Sequence, residues 1–198
     1  MRMKPCCLSG LMIVVAVFML FGCAVAQSKP SEANFTTPTV ALSHVEVPQY
    51  FGYWFYSSTV EPTKGKAGNN GSALILAFIF DITNPNAFPV MLSDLKFTTN
   101  LDGFDLNTVG SAETMWIPAG KTNQLRVYAV YDVGPARGNL LLAGGMILKE
   151  KGIDPWNELE KLWVQAPDFS YPIAVKEGSA VFTADGVVKV AAFQATFP

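Results

Sequence analysis

The stretch Ala73-Leu74-Ile75-Leu76-Ala77-Phe78-Ile79-Phe80-Asp81-Ile82-Thr83-Asn84-Pro85-Asn86 decides the fold class. Its first eight residues are unbroken apolar, rich in Leu, Ile and Phe, and too few for an ordinary helix. They fit a strand buried on both faces, or one whose outer face is covered. The run ends at Asn84-Pro85-Asn86. Proline cannot donate to a β-ladder, so pairing must stop there, and the flanking Asn side chains can bond back to local amides.

On the C-terminal side the alternation is period two. Leu95, Phe97, Thr99 and Leu101 interleave with Lys96, Thr98 and Asn100, the pattern of a half-exposed strand. Asp102-Gly103 marks a hairpin, because Gly accepts positive φ without a steric clash. Phe104, Leu106 and Val109 continue the return strand. Trp116 to Gly120 reads as a strand end and turn, and Leu125 to Val133 alternates again. Gly134-Pro135 then breaks the pattern. Leu140 to Lys151 suggests a helix stopped at Gly152, although Gly144-Gly145 weakens it by about 1 kcal/mol per Gly. Asp154-Pro155 supplies an N-cap and a first-turn proline for a second helix through about Val164. Trp156, Leu159 and Trp163 fall on one face of it, expected to be core. Beyond Pro167, Tyr171 to Val175 and Ala180 to Thr183 are candidate strands. Asp185-Gly186 is a second hairpin turn, and Val187 to Phe197 is the last strand.

On the N-terminal side, Val40, Leu42, Val45 and Val47 form a first strand with a phase shift near Ser43-His44. Tyr50 to Tyr56 is strongly aromatic, a β-segment or a packed loop, and Tyr50, Tyr53 and Trp54 are candidates for a contact patch. Residues 61–72 have the Gly, Pro and Asn content of a flexible loop. Many short strands separated by turns predict an all-β, antiparallel β-sandwich with a short helical insertion at about 136–165.

Composition narrows the function. The chain is 50% hydrophobic and 15% charged, which is incompatible with disorder over most of its length. Without Arg2 and Lys4, 12 bases face 16 acids. That mildly acidic body lacks the basic clusters a nucleic-acid binder needs. All three cysteines, Cys6, Cys7 and Cys23, lie near the N-terminus, and His44 is the lone histidine. A thiolate nucleophile, a Cys-ligated zinc or a multi-His metal site is therefore excluded from the body. A Ser-His-Asp triad would have to use His44, which reads better as a partly exposed strand residue. Asp102, Asp105 and Glu113 are the remaining carboxylate candidates. The hairpin explains Asp102, and two carboxylates fall short of calcium's six to eight oxygens. No catalytic residue, cofactor or metal is expected.

The N-terminus reads as an export signal. Arg2 and Lys4 precede an eleven-residue apolar run, Leu11 to Phe21, too short to span a bilayer. Leu20-Phe21-Gly22-Cys23 resembles the lipobox of bacterial lipoproteins, in which the cysteine is acylated and becomes the new N-terminus. Two alternatives stay open: cleavage after Ala24-Val25-Ala26, which frees a protein starting at Gln27, and an uncleaved span within the uncharged Pro5–Ser28 stretch. The placement of Cys23 at the end of the apolar run favours lipidation. The expected organisation is a signal peptide at 1–22, a lipidated Cys23 with a flexible tether to Pro38, and a sandwich domain at 39–198.

The buried strand with Asn84-Pro85-Asn86, Phe88-Pro89-Val90, the strand at Leu95–Leu101, Asp102-Gly103 and the Ile117-Pro118-Ala119-Gly120 turn together resemble the WHy domain. That domain defines the type 2 late-embryogenesis-abundant (LEA) proteins. The resemblance covers most of Val40 to Phe197. It implies a folded immunoglobulin-like or fibronectin-III-like sandwich, an association with desiccation and related stress, and protection of other proteins, with no catalytic residues to carry over. The expected molecule is a membrane-tethered cell-envelope protein, sorted to the outer membrane where the host has two. Its partners would be client or envelope proteins. The alternative is an adaptor that binds one specific envelope partner through its helical insertion.

Overall fold

A computed structural model describes residues 29–53 and 73–198 of the chain. The first sheet has three strands in the order β1 (Thr39–Tyr50), β2 (Leu74–Thr83), β6 (Thr122–Tyr131). The second runs β4 (Phe104–Ser111), β3 (Val90–Leu101), β7 (Ile173–Ala184), β8 (Val187–Phe197), with short β5 (Met115–Ile117) also paired to β3. Every pairing is antiparallel. The two inner faces meet in a cluster of rings. Phe78 and Phe80 of β2 pack edge-on against Phe97 of β3 at 5.1 and 5.2 Å, and Phe80 does the same with Phe193 of β8 at 5.4 Å. Such pairs add about 0.5–1.5 kcal/mol each beyond area burial.

The unbroken apolar run has a specific cause. Leu74, Leu76, Phe78, Phe80 and Ile82 face the core, whereas Ala77 and Ile79 face outward yet are also buried. Their cover is an ion pair. Glu46 lies opposite Ala77 on β1, Arg126 lies opposite Ile79 on β6, and the two side chains meet at 2.6 Å over the central strand. The phase shift near His44 is a bulge between Leu42 and His44 in the β1–β2 ladder.

The sequence expectation of an all-β antiparallel sandwich with a helical insertion holds, with three changes of detail. The insertion is longer: α1 spans Val133–Lys151 and α2 spans Pro155–Gln165, followed by a 3₁₀ turn at Ala166–Asp168. Pro135 lies in the first turn of α1, where a missing N–H costs no helical hydrogen bond. The two candidate strands after Pro167 are one strand, β7. A register shift between Val175 and Gly178, with Glu177 at φ 52°, splits its sequence pattern. The third change concerns the expected tether. Within it, Phe35 is buried with its ring edge-on to Phe88 at 5.8 Å, and Ser31 to Asn34 form a turn closed by the Asn34 side chain. This arm is part of the fold, not free linker.

The arm and the helices occupy opposite poles. β2 and β6 pair Thr83 with Thr122 at one end and Leu74 with Tyr131 at the other. The arm docks just beyond Thr83, at Asn86 and Phe88. α1 leaves directly after Tyr131. Ten residues at about 3.3 Å each separate the two ends by about 30 Å.

Candidate interaction surfaces

Cys23, the lipidation candidate, lies outside the described residues. Asn84 and Asn86 are both buried and act as a clamp. The Asn84 side-chain amide donates to the carbonyls of Phe88, Ile117 and Pro118 at 2.8, 3.1 and 3.2 Å. Its oxygen accepts from the backbone N–H and the side-chain amide of Asn86 at 3.0 and 2.8 Å. Asn86 in turn exchanges two bonds with Thr36: its Oδ1 accepts from the Thr36 N–H at 2.8 Å, and its Nδ2 donates to the Thr36 carbonyl at 2.7 Å. Exposed Pro85 sits between them. These polar groups are consumed in joining the arm, the β2–β3 loop and the β5–β6 turn.

The other titratable candidates are dispersed. His44 is about half exposed, 3.3 Å from Ser43 Oγ and 3.2 Å from Glu46 Oε1. The His44 hydrogen bond and the Arg126 pair hold the Glu46 carboxyl below its usual range despite some desolvation. Asp102 is paired to Lys161 of α2. Burial raises the Asp105 pKa, but hydrogen bonds from Asn100 and Lys176 outweigh it, so the carboxyl titrates below normal. The backbone N–H of Glu113 donates to Ser111 Oγ on the surface. Among the described residues no three His, Cys, Asp or Glu side chains cluster as a metal site.

Of the three aromatic candidates for a contact patch, the two described ones are drawn into the fold. Tyr53 is a core residue, its phenol pushed up to about 12 by burial and the nearby Glu160 carboxylate. Tyr50 is partly buried, and Trp54 lies outside the described residues. Trp156, expected in the core with Leu159 and Trp163, is exposed with the Arg137 guanidinium 4.3 Å from its ring. Leu159, Leu162 and Trp163 form the buried face of α2 instead. The Trp156 reading failed because the buried face is centred on Glu158, Leu159, Leu162 and Trp163, about 90° around the helix from Trp156.

Two apolar surfaces emerge that the linear pattern does not display. The first is the outer side of α1. Ala136, Leu140, Gly144 and Leu148 face inward at four-residue spacing, and the helix packs on β4. Leu142 is 88% exposed and Met146 77%, flanked by Leu141 and Ile147. Both sides of this helix are thus apolar, whereas among the described residues only one has a partner in the fold. The second surface lies on the outer side of the five-stranded sheet. Ladder partners align Trp116, Met91, Thr183 and Val188 in one row across four strands. Asp94, Val181 and Val190 form the next. Trp116, Val188 and Val190 are the exposed members.

No family model and no curated protein matches the chain. Two solved structures are similar at low identity. One is a protein from Archaeoglobus fulgidus, 11% identical with a TM-score of 0.41, covering 79% of this chain and 94% of that one. The other is a Northeast Structural Genomics Consortium target, 12% identical with a TM-score of 0.41, covering 82% of this chain and 88% of that one. Among the described residues no helix is long and apolar enough to cross a membrane.

Proposed function

We propose that this chain is a non-enzymatic, lipid-tethered protein of the cell envelope, of the type 2 LEA (WHy-domain) kind, which holds or protects other proteins under desiccation or related stress. The observation that carries this reading is the apolar face of α1 that has no partner among the described residues, at the pole opposite the arm that leads from Cys23. A domain moored through the arm presents Leu142 and Met146 away from its anchor. Partly unfolded clients expose apolar surface, and weak reversible contact with such a face blocks their encounters with one another. Acylation of Cys23 supplies the mooring, at about 0.8 kcal/mol per buried CH₂.

The experiment dries or freezes a labile enzyme with the purified protein. Recovery should exceed that given by an equal mass of albumin, and should fall to the albumin level with the L142E/M146E double variant. Both side chains are solvent-exposed, so the variant should fold normally. Protection unchanged in the variant would remove α1 from the mechanism. The same helix face also favours the adaptor reading. Saturable, stoichiometric capture of one envelope protein, lost in the double variant, would select that reading over broad client protection.

A further inference from the structure

The outer face of the five-stranded sheet changes character along its length. Toward the helical pole it is polar: Lys96 on β3, Thr108 and Asp105 on β4, Lys176 on β7, and Gln194 and Thr196 on β8. Toward the arm pole it is apolar, in the two rows that hold Trp116, Met91, Val181, Val188 and Val190. The division follows the direction of the chain's entry. Lys29, the first described residue, pairs with Asp185 at 3.3 Å, in the β7–β8 turn two residues before Val187. A second contact, Lys189 to Glu32 at 2.7 Å, fastens the arm to β8. Five residues lie between Cys23 and Lys29, and the six steps from one to the other span at most about 20 Å when fully extended. An acylated Cys23 therefore keeps this end of the sheet within about 20 Å of the lipid headgroups.

We propose that the apolar half of this sheet face, centred on Trp116, Val188 and Val190, seats against the bilayer that holds the Cys23 acyl chains. The inference rests on the tethered reading above. Trp suits such a contact, because its ring is amphipathic and settles at headgroup level. Val188 and Val190 add apolar surface beside it. The acyl chains on Cys23 supply the attachment, and the sheet face supplies a second, weaker membrane contact. Here the second contact also fixes orientation, laying the apolar half on the lipid and directing the helical pole outward. Asp94 is itself a half-buried member of the second row, and among the described residues no basic cluster surrounds the two rows, so the contact should not depend on anionic lipid.

The test reconstitutes the full mature chain in phosphatidylethanolamine/phosphatidylglycerol vesicles whose acyl chains are brominated near the headgroup, with tryptophan fluorescence as the readout. Bromolipid should quench the emission, and W116F should abolish the bromolipid-dependent component. The V188K/V190K variant, altered only at exposed positions, should abolish it too. Quenching should be equal when phosphatidylcholine replaces phosphatidylglycerol. No quenching in the parent, or quenching unchanged in W116F, overturns the proposal. Shielding of Trp116 from an aqueous quencher without bromolipid quenching also overturns it, in favour of a protein occupant. The mass of the mature N-terminus, measured on the same sample, reads the tether separately. An unacylated chain that still shows the Trp116 component keeps the sheet contact and discards the lipid anchor.

Discussion

Asn84 shows what a single buried amide can organise. Three carbonyls share its two N–H donors, and its oxygen fixes both amide groups of Asn86. Because Phe88, Ile117 and Asn86 are buried, removing the amide leaves shielded acceptors without donors, which costs more than the bond itself is worth. Asn84→Ala should destabilise the protein by about 3 kcal/mol or more. Asn86→Ala removes fewer buried contacts and should cost about 1–3 kcal/mol while releasing Thr36 and the arm. Urea unfolding measures both losses, and limited proteolysis between Ser31 and Pro38 detects arm release in Asn86→Ala. Protective activity per folded molecule should be unchanged in Asn86→Ala. Loss of activity at parental stability would instead make the loop a binding surface.

At the scale of elements, α1 contains a pair of glycines with opposite roles. A Cβ on Gly144 would lie 2.7 Å from Phe104 Cδ1, whereas one on Gly145 would meet nothing within 4 Å. Gly144 lets the helix approach β4 closely enough for the Asn139 side chain to reach the Leu106 carbonyl at 2.6 Å. Gly145→Ala should therefore stabilise by about 0.5–1 kcal/mol through helix propensity alone. Gly144→Ala gains the same propensity but overpacks against Phe104, and should end about 1–2 kcal/mol less stable than the parent. Thermal unfolding of the two variants side by side checks the opposite signs. Sequence spacing exposed the helix but counted both glycines as a weakness, because close approach to a neighbouring strand leaves no local trace. The legible parts were those governed by local physics. Period-two alternation located the strands, and the Asp102-Gly103 and Asp185-Gly186 turns adopt positive φ at all four residues. The Asp154 side chain caps α2 as its position suggests. The apolar rows around Trp116 were illegible because their members are far apart in sequence and meet only through strand register. Buried Tyr53 and exposed Trp156 exchanged their expected roles for a similar reason: both depend on where the helical pole closes over the sandwich.

For the whole molecule, pH reports how that pole is fastened to the sheets. Glu158 of α2 is nearly fully buried, with Lys161 3.3 Å away and Lys161 also paired to Asp102 in the β3–β4 turn. Burial raises the Glu158 pKa above its ordinary 4.5, the Asp102 carboxylate adds to the rise, and Lys161 only partly offsets it. A carboxyl with a raised native pKa binds its proton more tightly in the folded state. Its stabilising contribution is complete below pH 4.5 and is lost as pH climbs through the native value. Asp105 and Glu46 act in the reverse sense: their native pKa values are lowered, so their contributions are present above the ordinary carboxylate range and disappear on acidification. The pH profile of the parent is therefore a sum of opposing slopes, and a substitution is needed to isolate one of them. Glu158→Gln retains the side chain's shape and removes its titration. As pH rises from 4 to 8, the urea midpoint of Glu158→Gln should move upward relative to that of the parent, then run parallel once Glu158 is ionised. A constant offset across the range would mean that Glu158 ionises as freely in the folded protein as in the unfolded chain. In that case Glu158 adds no pH-dependent fastening, and the pole is held by the packing of Leu140, Leu148, Leu159, Leu162 and Trp163 together with the Lys161–Asp102 pair and the Asn139–Leu106 hydrogen bond.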